Sequence, residues 1–263
     1  MAPDRDSDEL VHLDVAAGVA TVTLDSPSNR NALSARLRAD LRRHLDTALA
    51  DDAVRVVVLT HTGPVFCAGM DLRESRGAGA EAQGVREFPA LLEQLWSSPK
   101  PVVARLAGPA RAGGVGVVAA CDIAVSVEDA TFAFTEVRIG VVPAVISVTV
   151  LPRLLPRPAH ELFLTGEVFD ARRGVAVGLL NSAVPAAGLD DEVARYTRML
   201  ALGGPQALAA TKALLREPPA GPMAEDFARM LELSARHFAS EEGQEGMRAF
   251  AEKRPASWVP PSA

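Results

Sequence analysis

Apolar and polar residues partly alternate over Val11–Val15 and again over Val19–Leu24, with Ala16-Ala17-Gly18 between them. Period-two alternation on either side of a small-residue turn predicts a β-hairpin. Asp25–Asn29 sets Pro27 among polar residues and reads as a loop. Ser34 then precedes Leu37, Leu41, Leu45 and Leu49, spaced four apart. That spacing drifts slowly round one helix face, and Ser34 is a favoured N-cap, so a helix is predicted over 35–50. Val54–Thr60 is apolar apart from Arg55 and has the length of a strand covered on both faces.

Phe88, Leu91, Leu92, Leu95 and Trp96 return to helical spacing, and Pro101–Leu106 reads as another buried strand. Residues 107–116 are rich in Gly and Ala and lead into a short apolar helix ending near Cys121. Ile123–Val127 and Phe132–Phe134 are further strands. After Pro143 the pattern turns helical. Val193, Tyr196 and Leu200 mark one late helix; Phe227, Met230, Leu231 and Phe238 mark another. The stripes around Phe88 and Phe227 are expected to be core or subunit contacts. Residues 73–84, rich in Gly, Ala and charge, are expected to form a mobile loop or weak helix bordering the site. Alternating strands and helices, then mostly helices, predict an α/β core over 1–195 and a helical C-terminal region over 196–263.

Length and charge narrow the class. The 263 residues suffice for one large domain. A net charge of −6 without any Lys/Arg block argues against nucleic acid or an anionic membrane as partner. The longest uncharged stretches, Ile139–Pro152 and Gly174–Leu189, are too short to span a bilayer. Met1–Glu9 is charged and does not read as a signal peptide. Cys67 and Cys121, with no C-x-x-C spacing, suit a reducing compartment, so a soluble cytoplasmic protein is expected. The five histidines are scattered, and no metal site is expected. No nucleophile elbow and no phosphate-binding P-loop occurs.

Three segments carry candidate chemistry. Phe66–Leu72 is a small-residue turn shortly after a strand, where Gly69 permits unusual dihedrals or a close approach; an ordinary tight turn has the same composition. Pro101–Gly116 reads as strand, glycine-rich loop and helix start, where free N–H groups and the helix dipole favour negative charge, a phosphate or an enolate oxygen. Gly114, Gly116 and Ala119 also match the G-x-G-x-x-A spacing of a dinucleotide fold, although the loop is long for that motif. Close helix packing is a third use for these glycines. Glu136 is a lone acid in Phe132–Pro143, beside apolar sequence. Burial would raise its pKa toward the range of a general base or acid; a salt bridge to Arg138 is the structural alternative.

The order of these segments resembles the enoyl-CoA hydratase/isomerase (crotonase-like) superfamily over nearly the whole chain. The resemblance is carried by Gly18–Leu24 with Asn31-Ala32-Leu33-Ser34, Phe66–Leu72, Ala112-Gly113-Gly114 through Ala120-Cys121-Asp122-Ile123, Leu164-Thr165-Gly166-Glu167 with Ala171–Leu179, and Phe250–Arg254. It implies a spiral of β-β-α turns with a C-terminal helical trimerisation region, and a homotrimer or homohexamer. It implies an acyl-CoA thioester as substrate, with no cofactor beyond the coenzyme A that the substrate carries. By position, the N–H groups of Met70 and Gly113 would form an oxyanion hole and Glu136 would move protons. Arg30, Ala32, Ala68, Asp71, Leu72 and Gly114 would contact substrate, and Lys253 would reach a coenzyme A phosphate, across a subunit boundary.

The chain departs from the family pattern at one position. Two-glutamate hydratases carry an acid three residues after the oxyanion-hole glycine, where this chain has Gly116. The glycine-rich stretch usual after the proline is here Ala144-Val145-Ile146-Ser147. The resemblance as a whole implies an enoyl-CoA hydratase. One carboxylate is enough for a Δ3,Δ2-enoyl-CoA isomerase, which is the alternative on chemical grounds. A non-catalytic acyl-CoA-binding protein is a third.

Overall fold

The computed structural model describes residues 9–74 and 87–261. Most of the stretch read as a loop or weak helix, from residue 75 on, lies outside them. Strands β1 (Val11–Ala16) and β2 (Val19–Leu24) form the predicted hairpin, antiparallel from Val11 opposite Leu24 to Ala16 opposite Val19. Ala17 and Gly18 turn the chain with φ of 50° and 78°, the positive values a tight hairpin needs. Helix α1 (Ala35–Ala50) begins as its cap predicts: Ser34 Oγ accepts the Leu37 N–H at 3.2 Å. It buries Leu37, Leu41 and Leu45 against the sheet. Strand β3 (Val56–His61) is buried at all six positions, as a strand covered on both faces must be.

Helix α2 (Phe88–Ser97) is followed by β4 (Val102–Leu106), β5 (Ala110–Arg111) and α3 (Gly113–Ala120). Then come β6 (Ile123–Val127), β7 (Thr131–Ala133) and α4 (Ala144–Val150). The two turns share one plan. Each gives a strand to a six-stranded sheet, a strand to a small three-stranded sheet, and then a helix. The chain thus winds as a spiral of β-β-α units, as the resemblance implies. Helix α5 (Pro156–Thr165), β8 (Phe169–Asp170), α6 (Ala171–Ala176) and β9 (Ser182–Val184) close the core. The large sheet has the order β1-β2-β3-β4-β6-β9 and is parallel from β2 onward; the small one is β5-β7-β8. The sequence pattern missed β5, β8 and β9. Two or three residues carry no periodicity, and those strands exist through their partners.

Helices α7 (Leu189–Ala201), α8 (Pro205–Arg216), α9 (Met223–Ala239) and α10 (Glu241–Glu252) make the C-terminal part. Helix α7 packs on β4 and β6. Helix α8 is tied down by polar anchors: Lys212 Nζ meets Asp122 Oδ2 at 2.5 Å and donates to Lys100 O at 2.9 Å, while Arg216 donates to Trp96 O at 2.9 Å. Helix α9 buries none of its residues, and Phe227, Leu231 and Phe238 stand exposed. Its apolar stripe therefore belongs to no core within this chain.

Removing one partner of the Lys212–Asp122 pair leaves the other partly buried and uncompensated. Lys212→Met is expected to destabilise the fold by about 2–3 kcal/mol, below the cost for a fully buried pair, because Asp122 keeps the Val102 N–H at 2.7 Å. The midpoint of urea unfolding measures it.

Candidate active site

The site is assembled from main chain first. Segment 66–70 is threaded between two other backbones. On one side Phe66 N–H donates to Pro109 O and Arg111 N–H to Cys67 O, both at 3.0 Å. On the other, Ala68 N–H donates to Arg30 O at 3.1 Å and Leu33 N–H to Gly69 O at 2.8 Å. Leu33 and Met70 form a parallel bridge. In such a bridge Leu33 bonds to the residues flanking Met70, so the Met70 N–H points away from it. Gly69 has φ of 89°, and a Cβ there would lie 3.0 Å from Arg111 O and 3.3 Å from Gly113 N. Only glycine meets both conditions.

Gly113 is the first residue of α3, so its N–H has no partner inside the helix. A Cβ on Gly113 would lie 3.5 Å from Met70 N, which puts the two amides side by side. The preceding Ala112 holds φ of 47° and ψ of −119°. A non-glycine residue in that region costs about 1–3 kcal/mol and persists where surroundings enforce it. Here the Ala112 N–H is fixed on Ala133 O at 3.0 Å.

A cavity of about 470 Å³ opens beside these two residues. Met70, Gly113, Glu136, Ala68 and Leu72, all singled out in the sequence, line it together. Glu136 lies in a 3-10 turn after β7 and is half-buried. Its Oε2 is buried without a hydrogen-bond partner, and burial raises its pKa above the ordinary carboxylate value. Arg138, the alternative salt-bridge partner, donates to Gly166 O at 3.0 Å instead. The rest of the lining is largely apolar: Ile139, Val142, Pro143 and Ile146 all contribute. The sequence pattern did not single these out, because an apolar run beside a proline looks the same whether it lines a cavity or fills a core.

The remaining candidates do not line the cavity. Ala32 is buried and Arg30 is exposed with φ of 60°, both on the strand of chain that flanks segment 66–70. Asp71 accepts the Arg73 N–H at 2.9 Å. Gly114 backs onto Cys67, whose carbonyl oxygen lies 2.5 Å from where a Cβ would stand. Lys253 is exposed at the end of α10 with φ of 54° and is not part of the cavity wall. A Cβ on Gly116 would lie 2.5 Å from Ile146 Cγ2. The space where a side chain at 116 would begin is therefore filled by isoleucine from α4. Gly114 and Gly116 both serve close packing, and β5 stands between β4 and α3, unlike a dinucleotide loop. Cys67 and Cys121 are buried, which pushes both thiols up to about 12 and leaves them unsuited to nucleophilic work.

Solved structures share this architecture. An enoyl-CoA hydratase from Mycobacterium smegmatis superposes with a TM-score of 0.87 at 32% identity, covering 95% of this chain and 99% of its own. One from Mycobacterium avium is 45% identical with a TM-score of 0.73, covering 95% and 99%. A Thermus thermophilus protein provisionally named an enoyl-CoA hydratase is 38% identical over 244 residues, which is 90% of this chain and 96% of its own. The carnitinyl-CoA dehydratase of Escherichia coli O157:H7 is 32% identical over 259 residues, covering 95% and 98%. The family model for enoyl-CoA hydratase/isomerase matches residues 14–260. The chain belongs to the enoyl-CoA hydratase/isomerase family.

Because the folded state raises the Glu136 pKa, it holds that proton more tightly than the unfolded chain does. The resulting stabilisation is complete below the unfolded pKa and is lost as pH rises through the folded one. Glu136→Gln should therefore gain thermal stability relative to the parent at pH 8, with little difference at pH 4. Scanning calorimetry at the two pH values checks the sign. In a second test, Gly116→Glu alone is expected to unfold more easily through its clash with Ile146, and Ile146→Ala added to it should restore part of the loss. Additive losses in the double variant would refute that contact.

Proposed function

We propose that the chain binds an enoyl-CoA thioester with its carbonyl oxygen at the Met70 and Gly113 N–H groups and shifts the double bond from C3 to C2. In this reading the Glu136 carboxylate removes a proton from C2 of a 3-enoyl-CoA. The electron pair moves onto the thioester oxygen as a dienolate, where each preorganised donor contributes about 3–4 kcal/mol. Glu136, now the acid, returns the proton to C4, and the 2-enoyl-CoA results. A carboxyl whose pKa is raised by burial is matched to both halves of this transfer.

The supporting observation is that Glu136 is the one carboxylate among the described residues lining the cavity, with Ile146 filling the space at Gly116. Hydration of a 2-enoyl-CoA is the second reading, favoured by the names of the relatives. Glu136 would then both activate the water and deliver the proton. Coenzyme A would run along Arg30, Ala32, Ala68, Asp71 and Leu72, with Gly114 supporting the hole and Lys253 at a phosphate. The unburied stripe of α9 supports a homotrimer, or two trimers paired, with the helical region as its contact. No helix among the described residues is long and apolar enough to cross a membrane. With both cysteines free, a cytoplasmic location fits this reading.

Incubation with 3-enoyl-CoA and with 2-enoyl-CoA, products resolved by mass and chromatography, tests it. A same-mass product with a shifted double bond is expected. A product heavier by one water from the 2-enoyl substrate moves the assignment to hydratase, and binding without any product to an acyl-CoA-binding protein. Glu136→Gln should lower turnover by at least about 100-fold while leaving thioester affinity within a few-fold. Activity should rise with pH as Glu136 ionises, at a midpoint above that of an ordinary glutamate.

A further inference from the structure

Helix α1 carries a cation among its buried residues. Arg38 lies in the first turn and is only 3% exposed. A positive charge there sits against the positive end of the helix dipole. Its pairing is poor for a buried charge. Its carboxylate partner, Glu87, is largely exposed and stands 3.4 Å from Nη2. The buried Nε has no hydrogen-bond partner among the described residues. Lys212, the other buried cation among them, meets Asp122 at 2.5 Å and a carbonyl besides. A well-packed apolar side chain in place of a buried ion pair is often neutral or stabilising. The stability of α1 therefore does not account for Arg38.

What the guanidinium holds lies beside the two amides of the candidate oxyanion site. Nη1 donates to Leu33 O at 2.5 Å, and Nη2 reaches Glu87. Leu33 is the residue bridged to Met70, with its N–H on Gly69 O at 2.8 Å. Glu87 immediately precedes Phe88, which begins α2 and lines the Glu136 cavity. The side chains of Leu33 and Phe88 then converge on Gly113. A Cβ there would stand 3.2 Å from Leu33 Cδ1 and 3.4 Å from Phe88 Cζ, with Met70 N at 3.5 Å. A single guanidinium thus ties together the two elements that pack against Gly113. The rigid fork of an arginine holds two acceptors in a fixed relation, which the single ammonium of a lysine does not.

We propose that Arg38 is a positioning residue for the oxyanion pair, setting the separation of the Met70 and Gly113 amides through Leu33 and the start of α2. The role rests on the thioester reading above and adds to it a residue that does not line the cavity. Arg38 also borders a surface cavity of about 500 Å³, shared with Arg42 and Glu87. That cavity gives a small ion a route to the space that a shorter side chain would leave.

The bound thioester carbonyl reads the geometry directly. Octanoyl-CoA, isotopically labelled at that carbonyl, is bound to the parent and to Arg38→Met, Arg38→Lys and Arg42→Met, and its stretch is recorded by difference infrared spectroscopy. Hydrogen bonds from both amides should lower the frequency in the parent below its value in buffer. Arg38→Met and Arg38→Lys should lose most of that downshift. Both should also slow turnover of whichever enoyl-CoA the protein converts by about 10–100-fold, with KM within a few-fold and a native circular-dichroism spectrum. Millimolar guanidinium should restore rate and downshift in Arg38→Met, and ammonium at the same concentration should not. Arg42→Met, which removes a charge from the same surface cavity, should match the parent. A parent-like carbonyl frequency in Arg38→Lys overturns the proposal, whether or not Arg38→Met folds. So does a loss of activity that matches the unfolded fraction while the bound carbonyl stays parent-like, which leaves Arg38 a purely structural residue. Octanoyl-CoA that fails to bind the parent, or binds with its carbonyl at the buffer frequency, overturns the oxyanion reading itself and the role of Arg38 with it.

Discussion

The closeness of three backbones around segment 66–70 is the constraint on which the site depends. A Cβ at Gly69 or Gly114 would stand within 2.5–3.0 Å of a carbonyl oxygen on a neighbouring segment. Main chain can approach main chain this closely only where side chains are absent. The approach brings the Met70 and Gly113 amides side by side, and it draws α3 down so that its N-terminus opens into the cavity. Ala112, held at positive φ, is the strained link that lets β5 end and α3 begin within one residue. Main-chain donors fixed this way do not reorient when charge develops in front of them, which is the property an oxyanion site needs.

The second feature follows from the first. Gly116 allows α4 to press its Ile146 against α3, and the same turn of α4 closes the cavity over Glu136. The carboxyl is thereby left beside hydrocarbon, with Oε2 unpartnered and its proton held above the usual range. Packing and proton affinity are one arrangement seen from two sides. The residue that removes the space for a second acid also helps dry the first.

Much of this was legible in the chain. The four-residue spacing of Leu37, Leu41 and Leu45 after Ser34 located α1 to the residue, because cap and burial agree there. Three segments taken in order, with the family they resemble, pointed to Met70, Gly113 and Glu136, and all three line one cavity. What stayed hidden depends on distant partners. Strand β5 pairs with β7 over two residues, and β8 over two more, so neither leaves a pattern. The meaning of Gly116 was half visible: the missing acid could be read, but Ile146, thirty residues further on, had to be seen in contact. Exposure was hidden as well, since Phe88 and Phe227 look alike as stripes and only one is buried.

Helix α9 has a consequence for how the molecule opens. A helix of 17 residues with none buried, resting on α10 through a few half-buried side chains, has little besides its backbone bonds to sustain it. Such a segment in water sits near the margin between helix and coil. Its lifetime therefore depends on α10 and on whatever covers Phe227, Leu231 and Phe238 more than on the β-β-α core. Amide hydrogen exchange across 223–239 becomes a gauge of association, while exchange in β3 and β4 reports on global unfolding.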